Sequence, residues 1–210
     1  MEILSKNYEK NISGLRQILD TDRNFDILEK HLLIGERAAS LFFIDGLVKD
    51  DILEKVLEYF YTIKKEDMPD SLDHFDMQNL PYIETEVLHQ MDDVLKNLLS
   101  GVPCLLISGI ADCLAIDCRT YPVRSVDEPM KDRTLRGSRD GFVETVVFNT
   151  ALIRRRIRSP KLCMEMTSAG ESTRTDIVLC YMEDRADRQC LQKLKDRIAA
   201  ISVDALTMNQ

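Results

Sequence analysis

The chain has 210 residues, 44% of them hydrophobic and 30% charged, and a formal net charge of −8. This composition is ordinary for a soluble globular protein, and the length suits one large domain or two small ones. The pI near 5.0 argues against a nucleic-acid-binding protein. No apolar run approaches the roughly 18 residues of a membrane span, and the N-terminus lacks the pattern of a signal peptide.

The cysteines and histidines do not form a metal-binding pattern. The six cysteines contain no CxxC pair, and the three histidines are scattered without ligand spacing. We therefore expect reduced, structural cysteines, no metal and no cofactor.

The first half of the chain predicts alternating helices and strands. Apolar spacing predicts a helix at Tyr8–Leu19. Gly35 separates two apolar segments, residues 25–33 and Arg37–Ile44, which predicts a hairpin with a central second strand. Three further elements follow: a helix capped by Asp50 or Asp51, a helix over residues 84–99, and a strand pair over residues 102–108 and 112–118.

The second half predicts a similar mixture of elements. We expect a helix over residues 140–156, strands over residues 162–167 and 176–182, the second of them buried, and a helix over residues 187–199. A last strand should begin near Ile201, which suggests that the second subdomain is cut short. The sequence shows no convincing internal repeat, although the order strand, strand, helix is predicted in both halves.

Together these elements predict an α+β or α/β fold. We expect two small subdomains, each a mixed β-sheet covered by helices, over residues 1–120 and 135–210. Residues 121–134, with two prolines and mixed charge, are the expected linker.

The segment from Lys131 to Lys161 is unusually basic, with nine Lys or Arg against three Asp or Glu. Its first part offers an anion or ligand site, because glycines and arginines before a helix N-terminus favour anion binding. The candidate residues of that site are Arg136, Gly137, Arg139 and Gly141. Lipid phosphate or nucleic acid at the later arginines, and a protein partner, are the further alternatives.

A structural interpretation of the same segment is simpler. Arginines at a helix C-terminus compensate the helix dipole, and Arg154, Arg155 and Arg156 must fan out because successive helical residues lie about 100° apart. At least one guanidinium should therefore point towards neighbouring protein and pair with a carboxylate. The apolar residues between the charges predict that this helix is largely buried.

The sequence shows no catalytic constellation. Ser108 precedes Gly109, but no GxSxG pattern surrounds it. Asp45 and Asp117 follow or end predicted strands, where acidic residues are common without catalysis. We expect a protein that is not an enzyme.

The segment RGSRDGFVETVVFNTALIRRRIRSPKL, residues 136–162, closely resembles the signature of the GerA family of spore germination proteins. The flanking pieces AASLFFIDGLVKDDIL, LLSGVPCLLISG, DCRTYPVRSVDEP and TDIVLCYMEDRAD agree, in order along the chain. Three segments resemble a sporulation-protein branch of the family more than the nutrient-receptor A subunits: VETVVFNTALIRRRIR, YMED and VDAL. The residues of this chain that match the family motif are Arg136, Gly137, Gly141, Phe142, Glu144, Asn149, Arg154, Arg155 and Arg156.

The resemblance implies an N-terminal region of two α/β subdomains on the cytosolic side of the spore inner membrane. Its implied role is assembly or signal transmission in a germinant-receptor or associated ion-channel complex. The implied partners are other subunits of that complex, further copies of the chain as an alternative, and the membrane through a C-terminal part missing from this chain. Nucleic acid is not expected. The alternative is a module that binds a small germinant or anion.

Overall fold

The computed structural model describes residues 3–72, 84–121 and 141–206. Its helices are α1 (Tyr8–Leu19), α2 (Asp50–Thr62), α3 (Met91–Leu99), α4 (Val146–Arg156) and α5 (Arg188–Ala199), and a 3₁₀ turn covers Lys65–Asp67. Its strands are β1 (Ile27–Ile34), β2 (Arg37–Ile44), β3 (Glu84–Leu88), β4 (Cys104–Ile107), β5 (Cys113–Asp117), β6 (Leu162–Ala169) and β7 (Thr175–Met182).

The first sheet has five strands in the order β1-β2-β4-β5-β3, and every neighbouring pair is antiparallel. Helices α1 and α3 cover one face, and α2 covers the other with residues that follow it. Because both faces are covered, the central strands are apolar on both sides; all four residues of β4 are buried.

The second sheet is the antiparallel hairpin of β6 and β7. It is thinly covered. No residue of α5 is buried, and every residue of β7 is half-buried or exposed. The prediction that β7 is a buried strand was therefore wrong.

The α+β class predicted from the sequence is confirmed, and the helix Tyr8–Leu19 and the strand Arg37–Ile44 have the predicted bounds. The described strand pairs are all antiparallel, so the expectation of mixed sheets was wrong. Residues 84–99 form a strand and then a helix instead of one helix, because β3 pairs with β5 over its whole length. No strand follows α5 as far as Leu206, where the description ends.

The structure contains an internal repeat, of which the sequence indicated only the order strand, strand, helix in both halves. The order helix, hairpin, helix occurs in α1-β1-β2-α2 and again in α4-β6-β7-α5. All four hairpin strands have eight residues, and both hairpins pair from end to end, Ile27 with Ile44 and Leu162 with Met182. Five residues join each hairpin to its second helix, residues 45–49 and 183–187. We call residues 8–62 with β3, α3, β4 and β5 the first unit, and residues 146–199 the second unit.

Candidate functional site: an arginine junction between the two units

The most deeply buried charge of the described residues is the guanidinium of Arg154, near the C-terminal end of α4. It forms a bidentate ion pair with Asp26: Nε donates to Oδ2 and Nη2 to Oδ1, each at 2.8 Å. The Arg154 side chain is 0% exposed and that of Asp26 is 1% exposed. One of the three fanned arginines therefore does point into neighbouring protein, and its carboxylate partner lies 128 residues away in the first unit.

Asn24 joins this ion pair to both units. Its side-chain oxygen accepts from the backbone N–H of Met164 at 2.7 Å and from Arg154 Nη2 at 3.3 Å. Its amide nitrogen donates to the carbonyl of Leu19, the last residue of α1, at 2.8 Å. Arg154 Nη1 also donates to the carbonyl of Leu162 at 3.0 Å. We call Arg154, Asp26 and Asn24, with the backbone of Leu162 and Met164, the arginine junction.

The junction is fully satisfied, which is what burial of two charges requires. None of the buried side-chain nitrogen or oxygen atoms of the described residues lacks a partner. Removing one partner of a buried ion pair leaves the other charge unpaired and typically costs about 3–5 kcal/mol. The junction thus holds α4, the end of α1 and the start of β6 in one arrangement.

Close packing at a glycine brings α4 against the first unit. Gly46, just after β2, has a φ of +76°, and a Cβ built there would lie 3.1 Å from Ala151 Cβ and from Val147 Cγ1. Ala151 itself is buried against Ile44 and Leu47. Only glycine combines this backbone conformation with such a close approach of the helix.

The next arginines occupy different environments. The guanidinium of Arg155 lies 4.3 Å from the ring centre of Tyr121, a cation–π distance, and the Tyr121 hydroxyl donates to the carbonyl of Ser100 at 3.3 Å. Arg156 is exposed. Arg154 therefore attaches α4 to the first unit, and Arg155 packs on Tyr121, four residues after β5.

Asn149 fixes the segment that precedes α4. Its side-chain oxygen accepts from the backbone N–H of Val143, and its amide donates to the carbonyl of the same residue, both at 2.7 Å. Asn11 makes the same two bonds to Ser5 at the start of α1, at 3.2 and 2.7 Å. Each asparagine lies four residues after its N-cap and holds the residue two before that cap.

The arginines of the two units are equivalent in the same way. Arg16 follows Asn11 by five residues, as Arg154 follows Asn149. Arg16 also forms a bidentate pair with a carboxylate, Glu29, at 2.7 and 2.9 Å. The difference is the partner: Arg16 uses a carboxylate of its own unit, whereas Arg154 takes one from the other unit.

The remaining motif residues lie before α4. Phe142 is 67% exposed. Gly141 is half-buried, and Glu144 is exposed. Arg136, Gly137 and Arg139 lie outside the described residues, so the anion site stays a prediction. The helix starts at Val146 instead of near residue 140, which leaves Gly141 and Glu144 outside its first turn.

The expectation that α4 is largely buried was wrong for much of the helix. Its buried residues are Thr150, Ala151, Leu152 and Arg154, whereas Phe148 is 46% exposed. Burial is concentrated on the side that faces the junction and Gly46.

A cluster that resembles a catalytic triad lies on the first unit. The hydroxyl of Ser40 donates to Glu29 at 2.7 Å and lies 3.2 Å from His31 Nδ1. Ser40 is 0% exposed, and the same ring nitrogen of His31 faces both Ser40 and Glu29. A triad needs one ring nitrogen for each partner and an accessible nucleophile, so this cluster is a hydrogen-bond network around the buried Ser40, and the His31 side chain in it is exposed.

The two candidate acids from the sequence also have structural surroundings. Asp117 accepts from Arg119 Nε at 2.8 Å, and this hydrogen bond lowers the pKa of Asp117. Burial raises the pKa of Asp45, whose backbone N–H donates to the carbonyl of Asp26. Asp117 and Arg119 line an open cavity of about 200 Å³ with Glu84, Thr85, Glu86, Asn97, Val102 and Ala115.

Among residues 3–72, 84–121 and 141–206, no group of three or more His, Cys, Asp or Glu side chains is placed to hold a metal ion. Within the same residues, no helix is both long and apolar enough to cross a membrane.

The family model described as Bacillus/Clostridium GerA spore germination protein matches residues 13–210. The chain belongs to the GerA family. The basic segment, α4 and the arginine junction all lie within the matched residues. The junction is therefore a feature of a GerA domain, although the match assigns no role to its residues.

Several curated relatives match nearly the whole chain. The stage V sporulation protein AF of Bacillus subtilis is 34% identical over 97% of this chain and 41% of its own length, in line with the sporulation-protein branch suggested by the sequence. Spore germination protein KA of the same organism is 24% identical over 97% of this chain and 38% of its own. The chain thus spans about two fifths of the length of these relatives.

A solved structure has the same fold. The N-terminal domain of the A subunit of the Bacillus megaterium spore germinant receptor GerK3 aligns with a TM-score of 0.73 at 22% identity. The alignment covers 95% of this chain and 74% of that one.

Sequence reasoning missed the two polar residues that receive Arg154. Asp26 was included in a predicted strand from Phe25, and Asn24 was not noticed. Neither has a local signal, because their partners lie more than 120 residues further along the chain. The only sign in the sequence of a partner for Arg154 was the pair of polar residues on either side of Phe25, just before the first strand.

Proposed function

We propose that this GerA chain is a non-enzymatic domain that acts in assembly or signal transmission of a germinant-receptor or associated ion-channel complex. The observation that carries the proposal is the arginine junction. It joins the two units through a buried ion pair, so a displacement of one unit is passed to the other. Hydrogen-bonded ion pairs and packed side chains that connect two parts of a protein can carry energetic coupling between them.

The proposal includes the setting that the family resemblance implies. The domain lies on the cytosolic side of the spore inner membrane and is attached to it by a C-terminal membrane part. Residues 1–120 and 135–210 form its two subdomains, joined by residues 121–134. Its partners are other subunits of the complex.

The test is a pair of matched substitutions in the native-length protein in spores. Arg154→Ala removes the buried arginine, and Arg16→Ala removes its exposed equivalent in the first unit. We expect Arg154→Ala to reduce recovery of the intact complex and to slow germination, and Arg16→Ala to leave both near normal. Protein levels in the spores are measured for both variants.

A second variant separates loss of fold from loss of function. Arg154→Met with Asp26→Leu removes both charges together, an exchange that buried ion pairs often tolerate in stability. We expect this double variant to accumulate normally. Normal assembly and germination of spores that carry Arg154→Ala at wild-type protein levels would refute the proposed role of the junction.

A further inference from the structure

The end of α4 and the turn after it carry positive charge that nearby carboxylates do not balance. Residues 154–161 contain five Lys or Arg and no Asp or Glu. Arg154 is buried in the junction, but Arg158 and Lys161 are exposed. Arg158 Nε donates to the carbonyl of Arg155 at 3.2 Å, and among the described residues no carboxylate pairs with Arg158 or Lys161. The turn therefore presents positive charge at the surface.

The other basic helix of the second unit is arranged differently. Residues 183–197, which include most of α5, also hold five Lys or Arg, but they hold four Asp or Glu as well. Arg188 pairs with Glu183 at 3.2 Å, and Lys195 pairs with Glu165 at 2.5 Å. The surface of α5 therefore mixes both signs of charge, whereas the end of α4 has one sign only.

Apolar side chains are exposed beside the positive charges of α4. Ile157, 39% exposed, lies between two exposed arginines, Arg156 and Arg158. Phe148 is 46% exposed. It precedes Arg156 by eight residues, which places the two about 80° apart around the helix axis and on the same half of its surface. Aromatic, aliphatic and basic side chains thus share the outer side of α4.

This combination fits an anionic lipid surface better than other anions. A small anion needs several donors that converge on it, and two arginines of the run are already engaged by Asp26 and Tyr121. Nucleic acid is disfavoured by the pI near 5.0. Segments that lie on a membrane combine Lys and Arg, which attract anionic headgroups, with Phe or other apolar side chains that enter the interface.

From these observations we propose that the outer side of α4 binds the headgroup region of an anionic lipid membrane. The residues of this surface, the α4 basic face, are Phe148, Arg156, Ile157, Arg158 and Lys161. The proposal rests on the proposed function, in which the domain is attached to a membrane. Attachment raises the effective concentration of lipid near the domain, so a contact of modest affinity is sufficient.

The consequence is a connection between the membrane surface and the arginine junction. Arg154 and Arg156 belong to the same turn of α4, one facing the first unit and the other exposed. Contact of the α4 basic face with lipid orients α4 on the membrane. The junction passes that orientation to the first unit.

The first test is co-sedimentation of the 210-residue chain with lipid vesicles at low salt. We expect binding to phosphatidylcholine vesicles that contain phosphatidylglycerol, and none to vesicles of phosphatidylcholine alone. Arg158→Gln with Lys161→Gln should weaken binding about 25-fold, because each basic residue near an anionic surface contributes about fivefold. The matched control, Arg188→Gln with Lys193→Gln, removes the same charge from α5 and should change binding about twofold at most.

The second test locates the contact. The chain contains no tryptophan, so Phe148→Trp introduces a single fluorescent probe into the α4 basic face. We expect its emission to shift to shorter wavelength when phosphatidylglycerol vesicles are added, because the indole ring enters the interface. Tyr61→Trp is the control, since Tyr61 is 58% exposed on α2 of the first unit, and its emission should not shift.

Four results would overturn the inference. They are no binding to phosphatidylglycerol vesicles, equal losses for the α4 and α5 double variants, an emission shift at position 61 in place of 148, and binding to a polyglutamate peptide or duplex DNA in place of vesicles. The last would assign the face to an acidic protein or to nucleic acid. None of them changes the expected effect of Arg154→Ala in spores, so the two proposals can fail separately.

Discussion

The two units use the same local devices with different surroundings. In each, an asparagine four residues after the N-cap holds the segment before the helix, and an arginine five residues later forms a bidentate pair with a carboxylate. Arg16 has a side chain 44% exposed, whereas that of Arg154 is 0% exposed. The same arginine–carboxylate pair therefore lies at the surface of the first unit, whereas in the second unit it is buried and connects the two units.

The largest expected effect compares these two arginines. Arg154→Ala leaves Asp26 buried without a counter-charge and should lower the free energy of unfolding by about 3–5 kcal/mol. Arg16→Ala removes an arginine that is 44% exposed, and its partner Glu29 keeps the hydrogen bond from Ser40, so the loss should be smaller, about 1 kcal/mol. Urea denaturation of the 210-residue chain measures both. Equal losses would mean that burial does not distinguish the two contacts.

The close approach of α4 to Gly46 gives the next effect. Gly46→Ala forces a Cβ against Ala151 and Val147, in addition to the cost of a positive φ. Gly109→Ala is the control, since Gly109 also has a positive φ, of +86°, but a Cβ built there would lie 3.7 Å from Nη1 of Arg37, an ordinary contact distance. We expect Gly46→Ala to cost about 1–3 kcal/mol more than the control. Indistinguishable melting temperatures would show that α4 is not tightly packed there.

The asparagines should give a smaller effect. Asn11→Ala and Asn149→Ala each leave the N–H and carbonyl of one backbone residue without their partners, which costs about 1–3 kcal/mol where the groups are buried. Asn11 is 5% exposed and Asn149 is half-buried, so Asn11→Ala should be the more damaging. The corresponding Asp variants keep the acceptor and should lose less. Thermal denaturation of the four variants tests this order.

The smallest effect depends on pH. Burial raises the pKa of Glu29, but the hydrogen bonds from Arg16 and Ser40 outweigh it and hold that pKa below its ordinary value of 4.5. A lowered folded-state pKa stabilises the fold above the unfolded-state pKa, and this stability is lost as the pH falls through the folded-state value. Glu29→Gln should therefore reduce the melting temperature slightly at pH 7 and have less effect at about pH 3. A difference that grows on acidification would contradict this sign.

The sequence was sufficient where the determinants are local. The apolar spacing of α1 and the apolar run of β2 predicted both elements with their observed bounds, and the run of three arginines required that one guanidinium meet protein. It was insufficient where the determinants are distant. The segment ETEVL was predicted as helix because its pairing with β5 cannot be seen locally, and β7 was predicted as buried because its composition matches that of a central strand. Asp26 could not be assigned as the partner of Arg154 because only the folded chain brings them together.

The central claim is that the arginine junction makes the two units one cooperative structure, and calorimetry of the 210-residue chain tests it most directly. We expect the wild-type chain and Arg16→Ala to unfold in a single transition whose calorimetric and van't Hoff enthalpies agree. For Arg154→Ala we expect two transitions, the first from the second unit and the other from the five-stranded first unit. A single two-state transition for Arg154→Ala would contradict the claim.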